Sequence, residues 1–148
     1  MSGPQDHNEW NRRIVEEFRA NGGRVGGPFE GRSMILVHHV GRRTGTARVN
    51  PLVHFRDGDR YVIVASKGGA PTDPDWYRNL MAAGRTEVEV GTERFPVEVT
   101  EVTGAERARL WELVVAAMPG FADYQRSAGR VIPVLVLTRT DHPATGVA

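Results

Sequence analysis

Asp57-Gly58 stands between two β-rich runs, residues 49–55 and 61–65. An Asp-Gly pair in that setting reverses the chain in two residues, so the flanking strands must be antiparallel neighbours. Four more β-rich runs, residues 34–40, 88–90, 95–102 and 132–137, bring the expected strands to six, and Gly91-Thr92 is a weaker hairpin signal between two of them. A parallel sheet needs a helix-length crossover between each pair of strands, and the spacing here leaves no room for that. Six antiparallel strands in a small domain remove their exposed edges by closing. The expected architecture is a mainly β, α+β fold: an antiparallel β-barrel with an N-terminal helix and flanking helices.

The helices follow from period rather than composition. Trp10, Ile14 and Phe18 recur every four residues among charges and Gly22-Gly23 follows, which predicts an amphipathic helix over residues 8–21. Residues 74–84 and 104–117 carry the same spacing, the latter through Ala108, Trp111, Leu113, Val114 and Val115. A chain of 148 residues is one domain, 1–148, with a sizeable core. Residues 1–7 and 141–148 have little to bury and are expected to be disordered tails.

Several function classes fall away at this point. The chain has no cysteine, which excludes disulfides, thiolate nucleophiles and sulfur-ligated zinc. Its formal charge is only +1, and it lacks a basic stripe interleaved with aromatics, so a nucleic-acid partner is disfavoured. No apolar run reaches the length of a membrane span and the first 20 residues are unlike a secretory signal, so a cytoplasmic location is expected, with peripheral contact at the inner membrane face left open.

Two connections carry the chemistry. "GRRTGTARVNP", residues 41–51, puts Arg42, Arg43 and Arg48 on one reversal. A solvated hairpin is the plain reading of that string taken alone. "ASKGGAPTDPDWYRNL", residues 65–80, ends a strand on Ser66, Lys67, Gly68 and Gly69 where one glycine would suffice. Cations on one rim and bare amides on another can converge on an anion such as phosphate. Neither GxxxxGK[ST] nor GxGxxG is present, so no nucleotide signature is met. His38 and His39 are adjacent on a strand and point to opposite faces, which makes them poor partners for one metal; core or rim positions suit them better, and no metal is expected. Ser66 lacks a GxSxG elbow, and the glutamates of the strands read as solvent-facing charges. Trp76, Tyr77 and Tyr124 are either core aromatics or a platform for a planar ring.

The string from residue 41 to residue 80, with "MPGFADYQRSAGRVIPVLVL" near the C-terminus, resembles the deazaflavin-dependent nitroreductase family over about residues 34–137. The resemblance implies a six-stranded split β-barrel of the flavin mononucleotide-binding type and the cofactor coenzyme F420. It implies hydride transfer from the reduced deazaflavin to a quinone, enone or nitro-type acceptor. The implied cofactor groove is lined by Arg42, Arg43, Arg48, Asn50, Pro51, Leu52, Ala65, Ser66, Lys67, Gly68, Trp76 and Asn79. Ser66 and Tyr124 are the implied catalytic groups, and Met118, Phe121 and Tyr124 the substrate pocket; Met118 and Phe121 stand where relatives often carry tyrosines. F420 carries a phosphodiester and a glutamate tail, so permanent cations and uncovered amides suit it. The partner is a small-molecule hydride acceptor, and a homodimer is compatible with the pattern. Flavin mononucleotide use by the same barrel, or a carrier without turnover, are the alternatives.

Overall fold

The computed structural model describes residues 4–141, with side chains from Glu9 onward and Gly68 excepted. Seven strands, β1 (Met34–Val40), β2 (Ala47–Val53), β3 (Phe55–Asp57), β4 (Arg60–Val64), β5 (Arg85–Val90), β6 (Glu93–Val102) and β7 (Val134–Arg139), form one sheet. Its order is β2-β1-β5-β6-β7-β4-β3, and every pairing is antiparallel. The two edge strands, β2 and β3, are consecutive in the chain and separated by His54 alone. A sheet whose opposite edges are joined by one residue has to curl until they meet, and the barrel expected from the hairpins follows from that connectivity.

The expected single run over residues 49–55 is thus two strands, which makes seven rather than six. Its pairing with β1 stops at Met34↔Val53, His54 donates its N–H to the Ser33 carbonyl at 2.9 Å, and the chain then pairs with β4 from Phe55↔Val62. His54 is buried at this seam, and burial first, then the Arg56 cation, depress its pKa to about 4, so it is neutral near pH 7. Both expected hairpins are present. Asp57 pairs with Arg60 across Gly58-Asp59, with Gly58 at φ +65° as a primed turn requires, and Val90 pairs with Glu93 across Gly91-Thr92.

Strand alternation sorts the core into three layers. Ile35, Val37, Ile63, Val88, Phe95, Val97, Leu135 and Leu137 fill the barrel interior, and Trp76 and Leu80 of α2 (Asp75–Ala83) close one end of it. The intervening residues point outward. Met34 and Leu36 lie under Ile14, Val15 and Phe18 of α1 (Pro4–Ala20), while Val62, Val64, Val134 and Val136 lie under Leu110 and Val114 of α3 (Gly104–Ala117) and Phe121 of α4 (Gly120–Ala128). Trp10, one turn before Ile14, stays largely exposed. A charge cluster ties α1 further down: Arg19 and His38 both engage Glu89 on β5, at 2.6 and 2.7 Å.

Several bounds differ from expectation: β5 begins at Arg85 rather than residue 88, β6 at Glu93 rather than residue 95, β7 spans Val134–Arg139 rather than residues 132–137, and two helices depart further. α1 begins at Pro4, so residues 4–7 are helical rather than a tail, because the amphipathic stretch is extended by polar residues that carry no period of their own. α4 had no helical signal strong enough to separate it from a loop; it is nine residues long and buries only Phe121 and Ala128. The expected tails at 1–3 and 142–148 lie outside the described residues. Among the described residues no helix is long and apolar enough to cross a membrane.

Candidate functional site

The β1–β2 connection is a closed loop. Gly41 N–H donates to the Thr46 carbonyl at 2.9 Å, Gly45 N–H to the Gly41 carbonyl at 2.8 Å, and Thr46 N–H to Thr44 Oγ1 at 3.2 Å. The loop is fastened to α2 because the Arg42 backbone N–H donates to Asn79 Oδ1 at 3.0 Å and the Arg42 guanidinium reaches the same oxygen at 3.5 Å. Arg42, Arg43, Thr44, Arg48, Asp75 and Asn79 then line a cavity of about 170 Å³. Among the described residues none of the three arginines forms an ion pair, whereas Arg60 and Arg109 share Asp57 and Glu106, and Arg130 holds Asp73. Three uncompensated guanidinium groups on one short reversal repel one another, and an anion relieves the repulsion while accepting bidentate hydrogen bonds.

β2 carries the site inward. Arg48, Asn50 and Leu52 alternate with Val49 and Val53, which pack on α1, so the first three face the barrel side. Pro51 sits on an edge strand, where its missing N–H leaves no ladder bond broken. Arg48 and Asn50 also line a larger cleft, about 360 Å³, between β2 and α1, whose other wall includes Asn11, Arg12, Val15 and Arg19. Nothing in the sequence pattern pointed to α1 as part of the site. Nor did it point to His39, only 5% exposed, whose Nε2 lies 2.7 Å from Asn50 Oδ1 and whose Nδ1 lies 3.0 Å from Asn79 Nδ2. Burial, ahead of the other influences, lowers its pKa from the ordinary histidine value.

The Ser-Lys-Gly-Gly turn is built differently from the sequence expectation. Lys67 has φ +51°, the only non-glycine residue with positive φ among those described, and it opens a short 3-10 turn, Lys67–Gly69. Left-handed backbone at a lysine costs about 1 kcal/mol or more and persists only where surrounding structure enforces it. Gly69 was expected to leave its amide open to an anion. Its N–H instead donates to the Ser66 carbonyl at 2.9 Å, and a Cβ there would collide with Ser127 Oγ and lie 3.2 Å from Tyr124 Cα. The second glycine thus admits α4, and Ser127 Oγ confirms the contact by donating to the Gly69 carbonyl at 3.2 Å. Ser66 is buried, and its hydroxyl has no hydrogen-bond partner among the described residues. Lys67 Nζ reaches Thr72 Oγ1 at 3.3 Å and is otherwise free to turn.

Arg130, which no sequence pattern connected with this turn, holds it in place. Its guanidinium donates to the carbonyls of Ala70 at 3.1 Å, Thr72 at 3.0 Å, Ser66 at 3.2 Å and Ala65 at 3.3 Å, and pairs with Asp73 at 2.6 Å. Of the remaining expected site residues, Ala65 and Trp76 belong to the interior core, and Leu52 packs on it from β2. Phe121 is buried between Phe55 and Tyr124, ring centroids 5.9 and 5.2 Å away, and Met118 packs on the same cluster. Tyr124 is 38% exposed, edge-on to Phe121, with no hydrogen bond to its phenol among the described residues. The structure therefore gathers the expected residues in two groups. Arg42, Arg43, Arg48, Asn50 and Asn79 meet around one cavity and its His39 bridge; Ser66 and Lys67 belong to the separate 65–70 turn, which abuts Tyr124 and Ser127 of α4 through Gly69.

An antiparallel sheet curled until its two edges meet is a split-barrel-type fold. A solved F420H2-dependent reductase superposes with a TM-score of 0.66 at 35% identity, covering 76% of this chain and 99% of its own. A second solved chain, described as a domain-swapped dimer, gives 0.68 at 34% identity over 91% of this chain and 99% of its own. An F420H(2)-dependent quinone reductase of Mycobacterium tuberculosis (strain H37Rv) is 41% identical over 126 residues, 82% of this chain and 85% of its own. Residues 10–139 match the F420H(2)-dependent quinone reductase family, and the chain belongs to that family.

Proposed function

We propose that this protein binds reduced coenzyme F420 and uses it to reduce quinone-type acceptors, with enones and nitro compounds as further candidates. The observation that carries the reading is the set of Arg42, Arg43 and Arg48, three arginines on one reversal that form no ion pair among the described residues and line one cavity with Asn79 and a single carboxylate, Asp75, which pairs with Arg78 instead. That donor set fits a cofactor with phosphodiester and carboxylate groups. The bound deazaflavin would supply the two-electron reducing chemistry. The chain's own residues bind and orient. The arginines hold the anionic groups, Asn50 and Asn79 offer amide hydrogen bonds, and Lys67 adds a mobile cation beside the unpartnered Ser66 hydroxyl. Tyr124, whose backbone abuts the same turn, carries a phenol without a hydrogen bond among the described residues, and we assign it the stabilisation of negative charge developing on an acceptor oxygen. The same reading places the protein in the cytoplasm, supported by its lack of cysteine, and makes a homodimer the assembly to look for, supported by the relative described as a domain-swapped dimer.

The test is anaerobic turnover of reduced F420 with a menaquinone analogue, followed by recovery of the oxidised deazaflavin absorbance, together with calorimetric titration of F420 and flavin mononucleotide. The expected outcome is turnover and tighter binding of F420. Arg42→Ala, Arg43→Ala and Arg48→Ala should each weaken F420 by about 1–3 kcal/mol, and less at high salt. Binding without turnover would assign a carrier, and tighter binding of flavin mononucleotide would overturn the cofactor assignment.

A further inference from the structure

The polar chain buried under the cofactor rim has a direction, and the direction can be read from the groups at its ends. A backbone N–H only donates, so the one on Arg42 fixes which end of the Asn79 amide is the oxygen: Oδ1, at 3.0 Å. Asn79 Nδ2 is then a donor, and it faces His39 Nδ1 at 3.0 Å, so that ring nitrogen must carry the lone pair. The proton of a neutral imidazole is left on Nε2, which faces Asn50 at 2.7 Å, and the Asn50 atom that receives it is Oδ1. The Asn50 Oδ1 is thereby committed to His39, which leaves its NH2 group as the end not used by the ring, and that group has no hydrogen-bond partner among the described residues. Asn50 lines the cleft of about 360 Å³ beside Arg48.

We infer that His39 is a positioning residue for cofactor binding: in its neutral Nε2–H form it fixes the Asn50 amide by its oxygen, leaving the NH2 donors available to a ligand, and holds Asn79, and through it the Arg42 loop, in register. The inference rests on the proposal that Asn50, Asn79 and Arg42 meet the cofactor. Its physical content is a sign. Protonated His39 has a donor on both ring nitrogens, so Nδ1–H would oppose the Asn79 NH2 group, and relieving that clash requires the Asn79 amide to rotate away from Arg42. Acid should therefore weaken binding of the anionic cofactor. A histidine that served merely as one more cation would do the reverse. The charged groups that face His39 are Arg48 on β2, which disfavours its protonation together with neighbouring His38, and Asp75 on α2, which favours it; Arg42 reaches it only through Asn79. Burial outweighs these and lowers its pKa from the ordinary histidine value, which favours the neutral ring.

Two substitutions separate the arms. His39→Asn keeps an acceptor near the Nδ1 position and His39→Gln keeps a donor near the Nε2 position, and neither titrates. His39→Leu removes both. F420 affinity is measured by calorimetry from about pH 8 to about pH 4.5, a window that reaches below ordinary histidine titration because burial lowers the pKa of His39. Wild-type affinity should fall at the acid end of this range. His39→Asn and His39→Gln should lose roughly three- to tenfold at pH 8 and be flat with pH, and His39→Leu should lose roughly ten- to thirtyfold. Long-range nitrogen–proton NMR on the cofactor-free chain reads the tautomer directly, and the NH2 signals of Asn50 and Asn79 should show one slowly rotating amide each. Wild-type affinity that is constant or rises toward acid, or a folded His39→Leu chain that binds like wild type, would overturn the inference. An Nδ1–H tautomer in the free chain would overturn it as well. Failure of F420 to bind the wild-type chain while the Nε2–H tautomer is seen would instead overturn the cofactor proposal.

Discussion

Replacing Arg130 by methionine should release the 65–73 segment while leaving the identity of every residue expected to meet the cofactor unchanged. The guanidinium is well covered, its side chain 15% exposed, and it reaches four carbonyls and one carboxylate of that segment. One NH2 group cannot serve three carbonyls linearly, so about four bonds count in full. At roughly 0.5–1.5 kcal/mol net each, they sum to about 2–6 kcal/mol. The Asp73 pair is discounted because that carboxylate is partly solvated, and freeing a long side chain returns up to about 2 kcal/mol of rotamer entropy. A net loss of about 2–3 kcal/mol remains, which in a domain of this size lowers Tm by roughly 5–10 °C. Lysine can keep the Asp73 pair and one carbonyl, so Arg130→Lys should lose about half as much. Thermal melts by near-ultraviolet circular dichroism give the global number, and amide hydrogen exchange over residues 65–73 gives the local one. Because Lys67 holds a left-handed backbone only while the turn is enforced, F420 affinity should fall in parallel with exchange protection. If Arg130→Met melts within about 1 °C of wild type and exchange over the segment is unchanged, the contacts do not hold the turn and the reasoning fails.

Lys67→Gly relieves about 1 kcal/mol of left-handed strain, partly offset by the freedom glycine gives the unfolded chain, so stability should hold or rise slightly while F420 affinity drops roughly three- to tenfold; a less stable variant with unchanged affinity would contradict both roles. Tyr124→Phe should lower kcat on quinone or enone acceptors by roughly ten- to a hundredfold and leave F420 affinity within about threefold, because the exposed phenol acts on developing charge; a kinetically silent change would make Tyr124 a packing residue.

Much of the barrel was legible in the sequence because its determinants are local. Asp57-Gly58 and Gly91-Thr92 specify reversals by backbone conformation, alternating apolar residues specify which face is buried, and the period of residues 104–117 matches α3 residue for residue. The arginines at 42, 43 and 48 were legible for the same reason, since a short connection cannot separate them widely. The split of residues 49–55 at His54 was not legible, because β-propensity is continuous across it and only the position of the partner strands, β1 at one edge and β4 at the other, ends one ladder and begins the next.

The sequence by itself therefore determined the two tight reversals, the antiparallel sense of the strands they join and the charge of the rim. The tertiary structure alone decided which of those groups act together. Gly69 reads as an open anion site in sequence and is packing space for α4 in the fold, because the α4 residues that a Cβ would meet lie more than 50 positions away. His39 reads as a core or rim histidine, and its tautomer is set by Asn50 and Asn79, which the fold brings from 11 and 40 residues off. Arg130 binds a turn 57 to 65 residues before it. Local pattern encodes backbone conformation and burial, whereas hydrogen-bond direction depends on which donors and acceptors closure of the barrel makes neighbours, and no spacing along the chain records that.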